Sequence, residues 1–200
     1  FTYGEELPDS ATQAWPALLA EKLKYKLINR SLPGCGNNYI VKTAIKEIPK
    51  LKPDLVLVAW TNCGRMEFAD EYSVYDIWPG CNRRWEQPYP HRDALIKYIT
   101  DYNNEQHQYR SWLRSMILLQ DFLKLRNIRY KFLSTFGNLA LHQKYGKHST
   151  EYLELVDTSN FVGWPDQEII NWTYGCPTGP RHHPLQSGHK VISNRVYGAL

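Results

Sequence analysis

The feature that most constrains this chain is Leu55-Val56-Leu57-Val58-Ala59-Trp60, six apolar residues in unbroken succession. A strand with one wet face alternates apolar and polar residues. An unbroken run of this length is expected of a parallel strand covered on both faces. Parallel strands need crossovers, and helical spacing of apolar residues occurs on either side of the run. Ile40, Val41, Ala44, Ile45 and Ile48 mark one helix. Tyr109, Leu113, Met116, Ile117, Gln120 and Leu123 mark another, whose pattern resumes near Asp93. Arg129 to Ser134 is a second buried strand candidate, and Lys26 to Asn29 a shorter one. Trp15, Leu18, Leu19 and Leu23 predict an early helix, with Thr12 as its cap and Pro16 in its first turn. A last helix is expected from about Leu185 to Tyr197, with Pro184 opening it. Strands alternating with helices predict an α/β fold with a parallel sheet and right-handed crossovers. With 200 residues, 42% of them hydrophobic, the chain suffices for one domain, residues 1–200.

Other stretches are less regular. From Asn62 to about Pro90 the chain is rich in Trp, Tyr, Pro and Gly. A loop of this length (residues 62–91) is expected to be functional or to hide a small insertion. Its Tyr72, Tyr75, Trp78, Trp85 and Tyr89 suit either the wall of a substrate cleft or a lid packed on the core. Residues 135–180 are mixed, with a short helix expected at Thr150–Val156. Seven Trp and fourteen Tyr imply amphipathic aromatics at surfaces and clefts as well as in the core.

The formal charge of +4 comes from Lys and Arg scattered among acids, so a nucleic-acid-binding patch is not favoured. No apolar run approaches membrane-spanning length, and no membrane partner is expected. Cys35, Cys63, Cys81 and Cys176 stand far apart without a CxxC pair, which fits reduced thiols, with one or two disulfides left open. Cys176, His182, His183 and His189 match no standard zinc spacing, and no metal or cofactor is expected.

In open parallel sheets the site lies at the carboxyl ends of the strands. The loops after Asn29, Trp60 and Ser134 fall there. In the first, Gly34 can turn a backbone N–H toward an anion at close range. In the second, Asn62 offers a side-chain amide, the other kind of donor used by oxyanion holes. Near the end of the chain, Pro184 fixes the backbone where His183 projects, a reasonable way to present a general base. His182 is expected at the surface, and His189 to bond backbone from within the last helix.

The order of these blocks resembles the SGNH, or GDSL-type, hydrolases over nearly the whole chain. Phe1-Thr2-Tyr3-Gly4 is similar to the tail of their first block. Asn29, Ser31 and Gly34 are similar to the second, Asn62 to the third, and His183-Pro184 with Gly188-His189 to the last. Trp60, Thr61, Arg65 and Glu67 resemble a variant found in bacteriophages and marine bacteria. The resemblance implies a three-layer sandwich around a central parallel sheet, flavodoxin-like in architecture. It implies a serine esterase or acylhydrolase in which His183 is the base and Gly34 and Asn62 hold the oxyanion. Trp60, Arg65 and Glu67 are candidates for contact with substrate, or Arg65 and Glu67 pair to hold the long loop.

Three departures from that pattern stand out. The nucleophilic serine, with the first strand, is expected directly upstream of Phe1 and is not in the sequence. Trp60 occupies a position where the pattern has Gly, and Pro180 stands where its acid belongs. Without that acid the tautomer of His183 must be set by a backbone carbonyl, water or another carboxylate. The expected substrate is a small or carbohydrate ester, O-acetylated sugars included. The alternative is a catalytically inert structural or binding protein, with oligomer or virion partners in a phage particle. The virion or the host cytoplasm is the expected location in that case, and localisation is otherwise unassigned.

Overall fold

The computed structural model describes residues 1–69, 74–77, 92–101 and 104–200. The apolar run forms β1 (Leu55–Trp60), preceded by three helices: α1 (Ser10–Gln13), α2 (Trp15–Leu23) and α3 (Asn37–Leu51). After β1 come β2 (Met66–Ala69) and β3 (Val74–Ile77), then α4 (Arg92–Asp101) and α5 (Glu105–Lys124). The second buried run forms β4 (Arg129–Ser134). It leads to α6 (Asn138–Tyr145), the single turns α7 (Thr150–Leu153) and α8 (Ile169–Trp172), and finally α9 (Gln186–Tyr197).

β1 and β4 pair in parallel, Leu55 opposite Arg129 and Trp60 opposite Ser134. The mixed α/β class expected from the alternating pattern is therefore present, as a two-stranded parallel sheet. Its strands send alternate side chains to two apolar clusters, as the period of two requires. Val58, Trp60, Tyr130 and Phe132 enter a cluster built on α3 and α5. Leu133, with half-buried Leu57 and Ala59, enters a second cluster with Trp15, Leu19, Ile192 and Val196 of α2 and α9.

The first cluster is anchored by α5. Tyr109, Trp112, Leu113, Met116, Leu119 and Leu123 recur at helical spacing and are fully buried. Withdrawing each from water contributes roughly 2 kcal/mol. Asn104 caps the helix by accepting the His107 N–H at 3.1 Å, with Glu105 in the first turn and Lys124 in the last.

Several expected elements differ. Thr12 lies within α1, which Asp9 caps, while Ala14 precedes Pro16 in α2. Lys26 to Asn29 forms no strand and joins no ladder among the described residues. In the segment after Asn62, β2 and β3 pair antiparallel, Met66 opposite Ile77 and Ala69 opposite Val74. Tyr72, Trp78, Trp85, Tyr89 and Cys81 lie outside the described residues, and so does the question of a lid. The helix expected at Thr150–Val156 is a single turn, and α6 went unread because its apolar pattern is weak.

One polar group lies at the centre of this fold. Glu168 is 5% exposed, and its carboxylate accepts bonds from Ser134 Oγ and from the backbone N–H groups of Gly137 (2.7 Å), Asn138 (2.9 Å) and Leu139 (3.2 Å). The carboxylate thus sits at the N-terminus of α6, where orphan donors and the helix dipole favour an anion. Glu168→Ala strands these buried donors, and should lower the unfolding free energy by about 3 kcal/mol. Glu168→Gln, which keeps one acceptor oxygen, should lose less. Urea denaturation checks the order; equal stability of all three proteins contradicts it.

Candidate functional site

The site begins with how the strand ends are held. The loop leaving β1 is clamped from two sides. Asn37, the first residue of α3, accepts the Thr61 N–H at 3.0 Å and donates to the Thr61 carbonyl at 3.1 Å. Asn138, the first residue of α6, donates to the same carbonyl at 2.8 Å and accepts the Cys63 N–H at 2.8 Å. All three are buried, so these bonds answer backbone groups that water cannot reach. Clamping α3 fixes the preceding loop as well, including Gly34, whose φ of 83° suits a glycine.

The second part is the turn that carries His183. Gly179 N–H donates to the His183 carbonyl at 2.9 Å, and Leu185 N–H to the Pro177 carbonyl at 3.0 Å. The tip is sealed by the acids of the N-terminal loop. Glu6 accepts the Arg181 N–H at 2.8 Å with one oxygen and the His183 N–H at 3.0 Å with the other. A Cβ on Gly179 would stand 2.5 Å from the Glu6 carboxylate, so the close approach requires glycine there. The Arg181 guanidinium pairs with Glu5.

These acids also face the imidazole. His183 Nδ1 lies 3.3 Å from Glu6 Oε2 and 3.8 Å from Glu5 Oε2, the nearer contact lacking hydrogen-bond alignment and becoming an ion pair only when the imidazole is protonated. Burial and the Phe1 ammonium lower the His183 pKa, while Glu5 and Glu6 pull it up; the net shift is downward. Burial raises the Glu6 pKa, but the two backbone N–H bonds and the nearby cations outweigh it and hold the carboxyl below its usual range. At neutral pH the pair is a neutral imidazole beside a carboxylate, the protonation state of a general base with its orienting acid.

His183 stands at the mouth of a cleft of about 980 Å³. Phe1, Phe136 and Arg65 continue the same wall. The Phe1 ring is 5.6 Å from His183 and 5.9 Å from Phe136, and the Arg65 guanidinium lies 5.5 Å above Phe136. Gly34 and Cys35 line the cleft as well. Burial, then Arg65, lower the pKa of the Phe1 ammonium, and Glu5 and Glu6 only partly restore it.

The residues singled out from the sequence therefore divide. His183, Gly34 and Arg65 line one cleft. Asn62 lies beside it, its amide donating to the Phe136 carbonyl at 3.4 Å and its oxygen accepting the Gly64 N–H at 2.8 Å. The Trp60 side chain is fully buried against Phe132, 5.3 Å between ring centroids, and is not among the residues lining this cleft. Glu67 accepts from Lys42 Nζ at 3.0 and 3.2 Å, an ion pair between β2 and α3. Glu5, Glu6, Asn37 and Asn138 were missed, for no local motif joins positions up to 177 residues apart.

The neighbouring histidines differ from His183. His182 is exposed, with φ 62° at the tip of the turn. His189 is fully buried and accepts the Trp15 N–H on Nδ1 at 3.0 Å, tying α2 to α9. Cys63 and Cys176 are free thiols, and burial pushes Cys63 up to about 12. Among the described residues no group of three or more His, Cys, Asp or Glu is placed to hold a metal ion, and no helix is long and apolar enough to cross a membrane.

An α/β domain with a histidine–carboxylate pair at its cleft is the class these observations define. The chain belongs to a family of unknown function, DUF6071, whose family model matches residues 6–200. No curated protein and no solved structure matches it. The resemblance to SGNH or GDSL-type hydrolases is thereby corrected, since the match is to DUF6071 and none is to that family. The blocks that carried the resemblance are short runs of Gly, Asn, Ser and His-Pro, residues that any set of tight turns between strands and helices selects.

Burial holds the pKa of His189 down to about 4, against about 6.5 for an unperturbed histidine. Between these values the unfolded chain binds a proton that the folded chain refuses. This contribution is present in full above pH 6.5 and is lost as pH falls to 4, a change of up to about 3 kcal/mol. His189→Asn keeps an acceptor for Trp15 but cannot titrate. Its stability, measured by urea midpoint, should fall less steeply between pH 6.5 and 4 than the wild type's; equal slopes contradict the assignment.

Proposed function

We propose that this protein hydrolyses esters, with His183 as general base and Glu6 as the acid that orients it. The observation that carries the reading is the His183–Glu6 pair at the mouth of the cleft, 3.3 Å apart and tied through the backbone of the turn itself. Glu6 supplies the carboxylate that Pro180 cannot.

In this reading the nucleophile is a serine that is not among residues 1–200. Its hydroxyl oxygen attacks the ester carbonyl carbon while the proton passes to His183. The imidazolium is stabilised by Glu6 and Glu5, and the proton then leaves with the alcohol. Water, deprotonated by His183, cleaves the acyl-serine and regenerates it. The Gly34 N–H receives the oxyanion, joined by Asn62 if its long bond to Phe136 is exchanged for the substrate. Aromatic rings and Arg65 at the mouth suit a small or carbohydrate ester. The finer architecture belongs to the same proposal: helices cover both faces of a parallel sheet, in three layers.

A second reading, a binding or structural protein without catalysis, is favoured by the engagement of the Asn62 amide within its own loop. One assay separates the two. The natural polypeptide, with whatever precedes Phe1, should hydrolyse p-nitrophenyl acetate, and His183→Ala should lower kcat/KM by about 10³-fold or more. Glu6→Gln should lower it by about 10- to 100-fold. Because Glu6 raises the His183 pKa, its neutralisation should move the acid limb of the pH profile to lower pH. An inactive wild-type protein sinks the enzymatic reading.

A further inference from the structure

The turn that carries His183 also presents His182, and the backbone there is unusual. Pro180, Arg181 and His182 form a loop between Gly179 and His183, next to the bridged pair Thr178 and Pro184. His182 N–H donates to the Gly179 carbonyl at 2.9 Å, and Gly179 N–H to the His183 carbonyl at 2.9 Å. This is a tight turn with proline at its second position, followed by one residue in the left-handed region. Loops of this kind ordinarily place glycine at that last position. Here it is His182, with φ 62°.

A side chain in such a conformation is disfavoured against glycine, and persists where the surroundings over-determine the backbone. Glu6 supplies that constraint, accepting the N–H groups of Arg181 and His183, the residues on either side, at 2.8 and 3.0 Å. Glu5 pairs with the Arg181 guanidinium, which holds the tip again. His182 is thus clamped through both neighbours, while its own side chain is exposed and bonds no partner among the described residues. The fold makes no use of this ring, yet holds it on a fixed base at the rim of the cleft, beside His183. An outlier of this kind, idle in the packing and set at a site, points to a ligand.

Chemistry narrows what the ligand offers. In the mechanism above His183 returns its proton to the leaving alcohol, so the alcohol half of the ester lies against this turn. An imidazole in its neutral form carries one donor nitrogen and one acceptor. A hydroxyl has the same two capacities, and is the polar group that a sugar or polyol repeats around its ester. The charged neighbours in the turn do not compete for it, since Glu6 is bonded to the turn and Arg181 to Glu5.

We propose that His182 is a specificity-determining residue, its imidazole bonding a free hydroxyl on the alcohol half of a sugar or polyol ester. The proposal rests on the reading of the cleft as that of an ester hydrolase, and the choice of substrates keeps the two failures apart.

The substrates are p-nitrophenyl acetate, whose leaving group has no spare hydroxyl, and a mono-O-acetylated methyl glucoside, which has several. His182→Gly fits φ 62° and removes the ring; His182→Asn also fits it and keeps a donor and an acceptor. In the natural polypeptide, His182→Gly should lower the ratio of kcat/KM for the glucoside to that for p-nitrophenyl acetate about 10-fold, through KM. His182→Asn should recover most of the ratio, and the urea midpoint of His182→Gly should be no lower than the wild type's. A wild-type protein active on both substrates, with the ratio unchanged in His182→Gly, overturns this proposal and leaves the hydrolase reading standing. A lowered midpoint assigns the ring to the fold and overturns it too. A wild-type protein inactive on both sinks the hydrolase reading, and titration with the glucoside then decides. A shift of the His182 imidazole resonance in NMR upholds the contact without hydrolysis, and an unmoved resonance overturns it.

Discussion

The structure depends on how a parallel sheet ends. Where β1 and β4 stop, their loops turn outward from an interior that water does not reach, and every N–H and C=O there needs a partner. Asn37, Asn138 and Glu168 provide them, the first two at the starts of α3 and α6 and the third from the turn before α8. Each is a polar side chain buried to at least nine-tenths and bonded more than once. Such networks are costly when half satisfied and specific when complete. Here they fix the helix starts relative to the strand ends, and so decide where Gly34, Thr61 and the loop after Ser134 meet.

The His183 turn is attached to this platform from the opposite terminus. Glu6 spends both carboxylate oxygens on backbone N–H groups of the turn, and still lies within ion-pair distance of the imidazole. One residue thus sets both the place of His183 and its electrostatic surroundings. Burial alone would make the imidazole a poor proton acceptor. The two acids counter that burial without reversing it, leaving a base neutral at physiological pH and able to take a proton.

Much of this was legible in the sequence, and the boundary has a physical cause. Leu55–Trp60, Arg129–Ser134 and the periodic faces of α3, α5 and α9 were readable because burial imposes a local pattern on consecutive residues. The short turns between residues 135 and 180 carry no such pattern and were not readable. His183 and Gly34 could be singled out because a His-Pro turn and a loop glycine advertise themselves locally. Glu6 could not, since its role comes from a contact across 177 positions. The same limit explains the misplaced family resemblance: short polar motifs report that turns exist at the strand ends, and many families need such turns.

The two faces of β1 bring these threads together. A run such as Leu55–Trp60 has no polar face, so its burial requires apolar neighbours over both faces. Residues of α3 and α5 join Val58 and Trp60 in one apolar cluster, residues of α2 and α9 join Leu57 and Ala59 in the other, and β4 pairs with one edge. Leu57 and Ala59 nonetheless remain only half-buried, and the apolar side chains across the cleft remain exposed. Six consecutive apolar residues mark a strand covered on both faces. The composition of β1 thus answers, independently of any family, to the apolar clusters that meet its two faces.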